Sequence, residues 1–271
     1  MAIMLADIAP GVIEGWLRTR VIGRPVEVVA EIGSTNDAVM AAGRAGRPEG
    51  LAIVADRQTA GRGRRGRSWA SPAGVGLYTS LLLRPDLPPD RIPLLTLVAG
   101  LGVAEAIEEM VGVAARLKWP NDVLVDGRKV AGILAETALA DAGISHVVVG
   151  IGINVNHDRQ DLPEAEFPEA TSLYLATGRI IPRGHLAATV YDRIDRWYGV
   201  FCQRRFAEIL ASGRGRSATL RHVVEVLSGE GTWQGVAMDL DSDGALLVRA
   251  EHGGLRRVIA SDVSIRETLQ R

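Results

Sequence analysis

Up to about residue 211 the chain mixes strand-type and helix-type runs. Beyond a Gly/Arg segment, Ser212-Gly-Arg-Gly-Arg-Ser217, it carries short strand-type runs only. This change of period constrains the fold most, because a mixed α and β pattern and a strands-only pattern build different layers. In the first part, residues 5–20 read as a helix with Ile8, Val12, Ile13, Trp16 and Leu17 on one side. Val26–Ile32, Leu51–Asp56 and Gly76–Arg84 read as strands. Gly33-Ser-Thr-Asn-Asp37 opens a helix that Ser34 caps, with Asp37 at capping-box spacing. Residues 91–111 form a long apolar helix, and Arg116–Trp119 and Val123–Val125 are strands about the Pro120-Asn-Asp122 turn. Further strands lie at 130–138 and 145–155. Leu186, Val190, Ile194, Trp197 and Phe201 recur at three to four residues and predict one helix over 183–211.

After the Gly/Arg segment, read as a linker, strands are expected at His222–Leu227, Thr232–Asp239, Ala245–Glu251 and Leu255–Ile259. Turns separate them at Ser228-Gly229, Asp241-Ser-Asp-Gly244 and Gly253-Gly254. The organisation expected is an α+β domain over residues 1–215 followed by a small β-barrel over 216–271.

The 271 residues carry 31 Lys+Arg against 32 Asp+Glu, a net charge of −1, which argues against a disordered, collagen-like or strongly basic chain. The single cysteine, Cys202, excludes an intrachain disulfide and a Cys-rich zinc site. No apolar run is long and charge-free enough for a membrane helix, and the start, with Asp7 and Glu14, lacks signal-peptide order. A cytoplasmic protein is expected. Only Lys118 and Lys129 are lysines, and both lie in one stretch. Either they are leftovers of a compositional bias or they mark a place that needs a compact ammonium, for which a planar guanidinium is no substitute.

Three polar constellations carry chemistry. The loop over residues 57–75 holds Arg57, Arg62, Arg64, Arg65 and Arg67 among Gly61, Gly63 and Gly66, followed by Trp69. Clustered guanidiniums hold carboxylates and phosphates, glycines let the backbone curl around a ligand, and Trp69 can stack on a ring. The same glycines satisfy G-x-G-x-x-G, but a strand rather than a helix follows, against a dinucleotide fingerprint. A nucleic-acid arm and a solvated loop are the other readings. In the second constellation Lys118, Asn121, Asp122 and Lys129 sit on neighbouring strand ends. Asn121 and Asp122 suit Mg²⁺ or water near phosphates, Lys suits a developing acyl-phosphate charge, and Gly132 allows a ligand against the backbone. The third, Gly150-Ile-Gly-Ile-Asn154, suits close approach of a flat ring with Asn154 as hydrogen-bonding partner, and Ser34, Thr35, Asn36 and Gln58 suit an uncharged polar group.

Taken in order, Gly33–Asn36, Gln58, Gly61–Arg67 with Trp69, Lys118–Asp122, Arg128–Leu134, Gly150–Asn154 and Gly235–Leu247 resemble the biotin–protein ligases, also called biotin–[acetyl-CoA-carboxylase] ligases. The resemblance implies the mixed-sheet catalytic domain of the biotin/lipoate ligase type, with a C-terminal SH3-like barrel. It implies two half-reactions: biotin and Mg·ATP give biotinyl-5′-AMP and pyrophosphate, then a lysine of a biotin carboxyl carrier protein takes the biotinyl group. Carried over, Ser34, Thr35, Asn36 and Gln58 bind the ureido head; Arg62, Gly63 and Arg64 wrap the tail and phosphate; and Gly132 faces biotin. Arg67, Trp69, Lys118, Asn121 and Asn154 serve the nucleotide, Lys129, Arg64 and Asp122 the chemistry, and Asn121 and Asp122 the Mg²⁺. Bifunctional members carry an N-terminal helix-turn-helix domain of about 60 residues, for which the stretch before Gly33 is too short, so a ligase without DNA or membrane partners is expected. The resemblance allows a monomer or weak homodimer. Lipoate–protein ligases or octanoyltransferases share the implied catalytic fold and are the enzyme alternative.

Overall fold

A computed structural model of the chain describes residues 6–140, 143–162, 170–228, 231–251, 253–260 and 264–267. Twelve strands and six α-helices are present among the described residues. The first seven strands are β1 (Val26–Ile32), β2 (Ala52–Gln58), β3 (Gly76–Leu83), β4 (Ala115–Lys118), β5 (Asp122–Val125), β6 (Arg128–Ala140) and β7 (Gly143–Asn154). They form one sheet in the order β1-β2-β3-β7-β6-β5-β4, antiparallel except for β1 with β2.

Strand alternation divides this sheet into two faces. Thr79 and Leu81 of β3, Val149 and Ile151 of β7 and Ala131 and Ile133 of β6 face α3 (Leu94–Val111) and α5 (Arg183–Cys202) and build the main core. α3 is apolar nearly all round and buried accordingly. It lies so close to α5 that a Cβ on Gly102 would meet Ile194 at 2.5 Å. The opposite face carries α2 (Thr35–Arg44), whose Val39 packs with Ile53, Leu82 and Val148. Beside α2 this face is left open, and there the alternate residues Ser80, Gly150, Gly152, Gly132, Leu134 and Glu136 form a floor. The register pairs Ser80 with Gly150, Gly150 with Leu134 and Gly152 with Gly132.

The C-terminal unit has the four expected strands and a fifth, the last, that the sequence reading did not contain. β8 (Val223–Ser228), β9 (Gly231–Leu240), β10 (Leu246–Ala250), β11 (Leu255–Val258) and β12 (Ser264–Glu267) form an antiparallel sheet in the order β11-β10-β9-β8-β12. It is tied to the first unit by Trp119, whose Nε1 donates to the Gly244 carbonyl at 3.0 Å and whose backbone N–H donates to Thr219 Oγ1 at 2.9 Å.

Four local expectations need correction. The first helix is only α1 (Pro10–Trp16), after a 3₁₀ turn at Ala6–Ile8; Leu5 of the expected span 5–20 lies outside the described residues. It stops because the following backbone N–H groups find better partners across the fold: Arg18 donates to Asp192, and Arg20, Val21 and Ile22 to Asp195. The single helix over 183–211 is two, α5 and α6 (Phe206–Arg216), broken at Arg204, where φ is +58°. The Gly/Arg linker is instead the last turns of α6. Gly213 packs on Leu97, Arg216 pairs with Glu108 at 2.7 Å, and Arg214 pairs with Asp239. Finally, Ser34 stands at the N-cap of α2 without a side-chain capping bond, and Asp37 pairs with Arg62 at 2.7 Å. Of the expected turn Ser228-Gly229, Gly229 lies outside the described residues; the short α4 (Leu173–Thr177) had no counterpart in the sequence reading. Among the described residues no helix is long and apolar enough to cross a membrane.

Candidate active site

The open sheet face is a cleft roofed by the Gly/Arg loop. Short backbone bonds fold the loop on itself: Gly63 N–H to the Arg67 carbonyl at 2.7 Å and Trp69 N–H to the Gly61 carbonyl at 2.9 Å. Arg65 (φ +58°) and Gly66 (φ +72°) make its tip in the left-handed region, where glycine is at ease. Thr59 and Ala60 fasten the loop's start to Ile32 and Gly33 at the end of β1. The cleft is lined by Ser34, Thr35, Asn36, Gln58, Arg62, Gly63, Arg64, Arg67, Trp69, Asn121, Asp122, Lys129 and Gly132. Thirteen of the fifteen expected site residues therefore converge on one cleft. Lys118 lines a cavity of about 420 Å³ that opens beside it toward the C-terminal unit and shares Arg64, Asn121 and Asp122 with it. Asn154 lies behind Trp69 and Lys129, its side-chain amide donating to the Thr171 carbonyl at 3.0 Å.

The two ends of the cleft differ in chemistry. One end is uncharged and buried. The backbone N–H of Thr35 and its hydroxyl both reach Gln58 Oε1, at 2.9 and 3.1 Å, and Gln58 Nε2 donates to Ser71 Oγ at 2.9 Å. This saturates the carbonyl of Gln58 and leaves one of its N–H groups for a ligand. Ser34, only 3% exposed, adds a hydroxyl that is not spent on capping. Asn36 stands on Gly150, where a Cβ would meet its Oδ1 at 1.9 Å.

The other end is cationic. Lys129 Nζ lies 2.6 Å from Asp122 Oδ1 and 5.3 Å from the Trp69 ring centroid. Arg64 donates to Asn121 Oδ1 at 3.1 Å and to the Ala260 carbonyl, while Asn121 Nδ2 donates to the Ile133 carbonyl at 3.0 Å. Burial pushes the Arg64 guanidinium below its usual pKa; Asp122 opposes this, and Arg65 and Arg67 add to it. A cation crowded by other cations is a site for an anion. Between the ends, the Trp69 indole lies flat against the sheet. A Cβ on Gly152 would meet it at 2.5 Å and one on Gly132 at 2.9 Å, so these glycines hold the tryptophan ring as well as flooring the cleft. Arg62 pairs with Asp37 of α2 and with Glu136 at the edge of the floor, both at 2.7 Å.

Sequence reasoning missed Ser80, Glu136 and Ser71. Each is a polar residue in or beside an apolar strand, and the signal was available in the alternation: Ser80 and Glu136 fall on the strand face that carries Gly150 and Gly132. His157 is a buried polar residue close by, 1% exposed. Its Nε2 meets Tyr78 Oη at 3.1 Å, and its Nδ1 has no hydrogen-bond partner among the described residues. Burial pushes its pKa from 6.5 down to about 4, Asp161 opposing and Arg183 adding. Between these values the unfolded chain takes up a proton that the folded chain refuses, so stability falls as pH drops through this window, by up to about 3 kcal/mol. Urea unfolding of wild type and His157→Leu at about pH 7 and about pH 4.5 reads the effect. The variant should lose markedly less stability over the interval; equal losses contradict the assignment.

Residues 30–154 match the Biotin/lipoate A/B protein ligase family, and residues 223–266 match the Biotin protein ligase C terminal domain. The biotin--[acetyl-CoA-carboxylase] ligase of Mycobacterium tuberculosis is 37% identical over 268 residues, covering 93% of this chain and 94% of that protein. The bifunctional ligase/repressor BirA of Bacillus spizizenii is 34% identical, covering 92% of this chain and 76% of that protein. The structure of biotin protein ligase from Aquifex aeolicus in complex with biotin and ATP superposes with a TM-score of 0.78 at 36% identity, covering 90% of this chain and all of that one. With a cleft that is neutral and polar at one end and cationic at the other, and with likeness running through both units, this chain belongs to the biotin protein ligase family.

Proposed function

We propose that this chain is a biotin–[acetyl-CoA-carboxylase] ligase that condenses biotin with ATP to biotinyl-5′-AMP and passes the biotinyl group to a lysine of a biotin carboxyl carrier protein. One observation carries the reading: a single cleft joins a buried uncharged donor–acceptor cluster, Ser34, Thr35 and Gln58, to a cationic end made by Lys129 and Arg64. That polarity suits an acid with a ureido head and a carboxylate tail. A lipoyl or octanoyl head has nothing to offer Gln58 and Thr35, and leaving buried polar groups unpaired is costly.

In this reading Ser34, Thr35 and Gln58 hold the ureido group, with Asn36 behind them, and the backbone at Arg62 and Gly63 closes over the tail. Lys129 holds the carboxylate against the α-phosphorus and balances the charge that grows on the phosphoryl oxygens. Arg64 and Arg67 neutralise the phosphates. Trp69 and Asn154 lie on the nucleotide side, and Lys118, lining the neighbouring cavity beside Asn121 and Asp122, serves the phosphates from there. Among the described residues no group of three or more His, Cys, Asp or Glu is placed to hold a metal. The carboxylate of Asp122 and the amide of Asn121, both lining the cleft, would hold a Mg²⁺, which would offset phosphate charge when bound. In the second step the carrier lysine attacks the mixed anhydride carbonyl, the amide forms and AMP leaves. The domain division at residues 215/216 assigns adenylation to the first unit and supporting contacts, such as Ala260 with Arg64, to the second.

The test is transfer. With biotin, Mg·ATP and a biotin carboxyl carrier domain, mass spectrometry should show a single biotinyl group on the carrier's acceptor lysine. No modification, or modification by lipoate instead, overturns the reading. Arg64→Ala should still form adenylate but release it at least about tenfold faster, because a charge-assisted contact to its phosphate is lost. Rapid gel filtration of labelled adenylate measures this, and unchanged retention counts against the role of Arg64.

A further inference from the structure

Asn36 was expected to meet the ligand directly, yet its side chain is committed to the protein. Its Nδ2 donates to Glu136 Oε2 at 2.7 Å and to the Leu134 carbonyl at 3.3 Å, and its Oδ1 lies 2.6 Å from Ser80 Oγ. Ser80 Oγ is also 2.7 Å from Thr35 Oγ1. Ser80 and Thr35 are fully or nearly buried, and each hydroxyl has one proton. Proton counting then orders the chain of contacts. A carboxylate only accepts, so Glu136 forces the amide of Asn36 to present N–H to it and C=O to Ser80. Turned the other way, the amide would set its oxygen against Glu136 and the Leu134 carbonyl. With Asn36 Oδ1 as a fixed acceptor, the Ser80 proton goes to it. The Thr35 hydroxyl gives its own proton to Gln58 Oε1 at 3.1 Å, so toward a ligand in the cleft it lines it is left only to accept. The same carboxylate oxygen of Glu136 receives Arg62 of the roof at 2.7 Å. One group thus touches both the wall behind the neutral end and the loop above it.

We propose that Glu136 is a positioning residue for ligand capture: through Asn36 and Ser80 it fixes Thr35 as a hydrogen-bond acceptor at the neutral end of the cleft, and it latches Arg62 of the roofing loop beside that end. The proposal rests on the reading that this end takes the ureido group of biotin, whose N–H groups need an acceptor. Glu136 touches no reacting atom, so its effect falls on biotin affinity and not on the chemical step. The ion pair to Arg62 is half-exposed and contributes little by itself. The amide contact is the stronger part.

Pyrophosphate release by the full chain is measured against biotin and ATP for wild type, Glu136→Ala, Glu136→Gln and Asp37→Asn. Glu136→Ala should raise the KM for biotin about 30-fold, with kcat and the KM for ATP within about threefold of wild type, as expected for one lost charge-assisted hydrogen bond. Glu136→Gln keeps a carbonyl for Asn36 and should recover most of that loss, to within about fivefold of wild type. Asp37→Asn weakens only the other partner of Arg62 and should leave the KM for biotin within about twofold. A Glu136→Ala enzyme with wild-type KM for biotin overturns the proposal, as does a loss shared equally by the KM for ATP and kcat. Should Glu136→Ala not fold, Ser80→Ala breaks the same relay and should raise the KM for biotin alone; an unchanged KM overturns the proposal. A wild-type chain that releases no pyrophosphate with biotin overturns the underlying reading instead, which separates the two failures.

Discussion

Lys129→Ala is expected to lose about 100- to 1000-fold in the rate of biotin adenylation, the range for removing one preorganised charge from where transition-state charge develops. Lys129 stands between the main cleft and the small cavity that holds Asn154, with its ammonium 2.6 Å from Asp122 and against the Trp69 ring. Some stability should go with it, because both members of the Lys129–Asp122 pair are only about one-fifth exposed and Asp122 Oδ1 is left buried without its counter-charge. Circular dichroism and urea unfolding confirm that the variant folds, and single-turnover formation of labelled adenylate measures the loss. Lys129→Arg should remain at least about tenfold impaired, since the planar guanidinium neither matches the ammonium's contact with Asp122 nor fits beneath Trp69. This is the substitution the chain avoids: nearly every other cation in it is arginine. Lys118→Ala should be milder, because Lys118 lines the neighbouring cavity and not the cleft itself. A fully active Lys129→Ala would remove lysine from the mechanism.

The largest stability effect is expected at Arg183, which is 1% exposed at the start of α5. Its guanidinium holds both oxygens of Asp7 at 2.9 and 2.7 Å, Asp56 at 2.7 Å and the Gly76 carbonyl at 3.2 Å. Asp56, itself buried, also accepts the Gly74 N–H at 3.0 Å. Asp56 precedes the Gly/Arg loop, and Gly74 and Gly76 end it, so one buried cation clamps both ends of the roof over the cleft. Arg183→Met strands the Asp56 carboxylate without its counter-charge, and breaking a buried pair in this way costs about 3–5 kcal/mol. Urea unfolding should show that loss. Adding Asp56→Leu should return part of it, because the stranded charge is then gone. A loss below about 1 kcal/mol would mean that water or a neighbour takes over the role of Arg183.

The comparison of sequence with structure follows from what kind of information each residue carries. Local chemistry was legible: the Gly/Arg loop, the Lys118–Asp122 turn and the Gly150–Asn154 strand end announce themselves by composition, and all contribute to the cleft or its flanking cavities. Eleven of the twelve described strands were legible to within about two residues because apolar runs of β-branched residues admit few alternatives; β12, four residues with a single apolar one, was not. Tertiary partnerships were not. Ser34 reads as a cap until Gln58 and Thr35 are seen to turn the site inward; Gly213 and Gly215 read as linker until Leu97, Glu108 and Asp239 are seen to receive α6. Arg183 sits more than 100 residues from its carboxylates, beyond any local pattern. Glu136 and Ser80 become visible only when the pleat assigns them to the open face of the sheet.

In the proposed function the neutral end of the cleft selects a ureido head while the cationic end activates its carboxylate. The most direct measurement is pyrophosphate release from the purified chain with Mg·ATP and no carrier present, using biotin, lipoate and octanoate side by side. The account predicts close to one pyrophosphate per active site with biotin, the adenylate staying bound, and negligible release with the other two acids. Silence with biotin and turnover with lipoate or octanoate would contradict it.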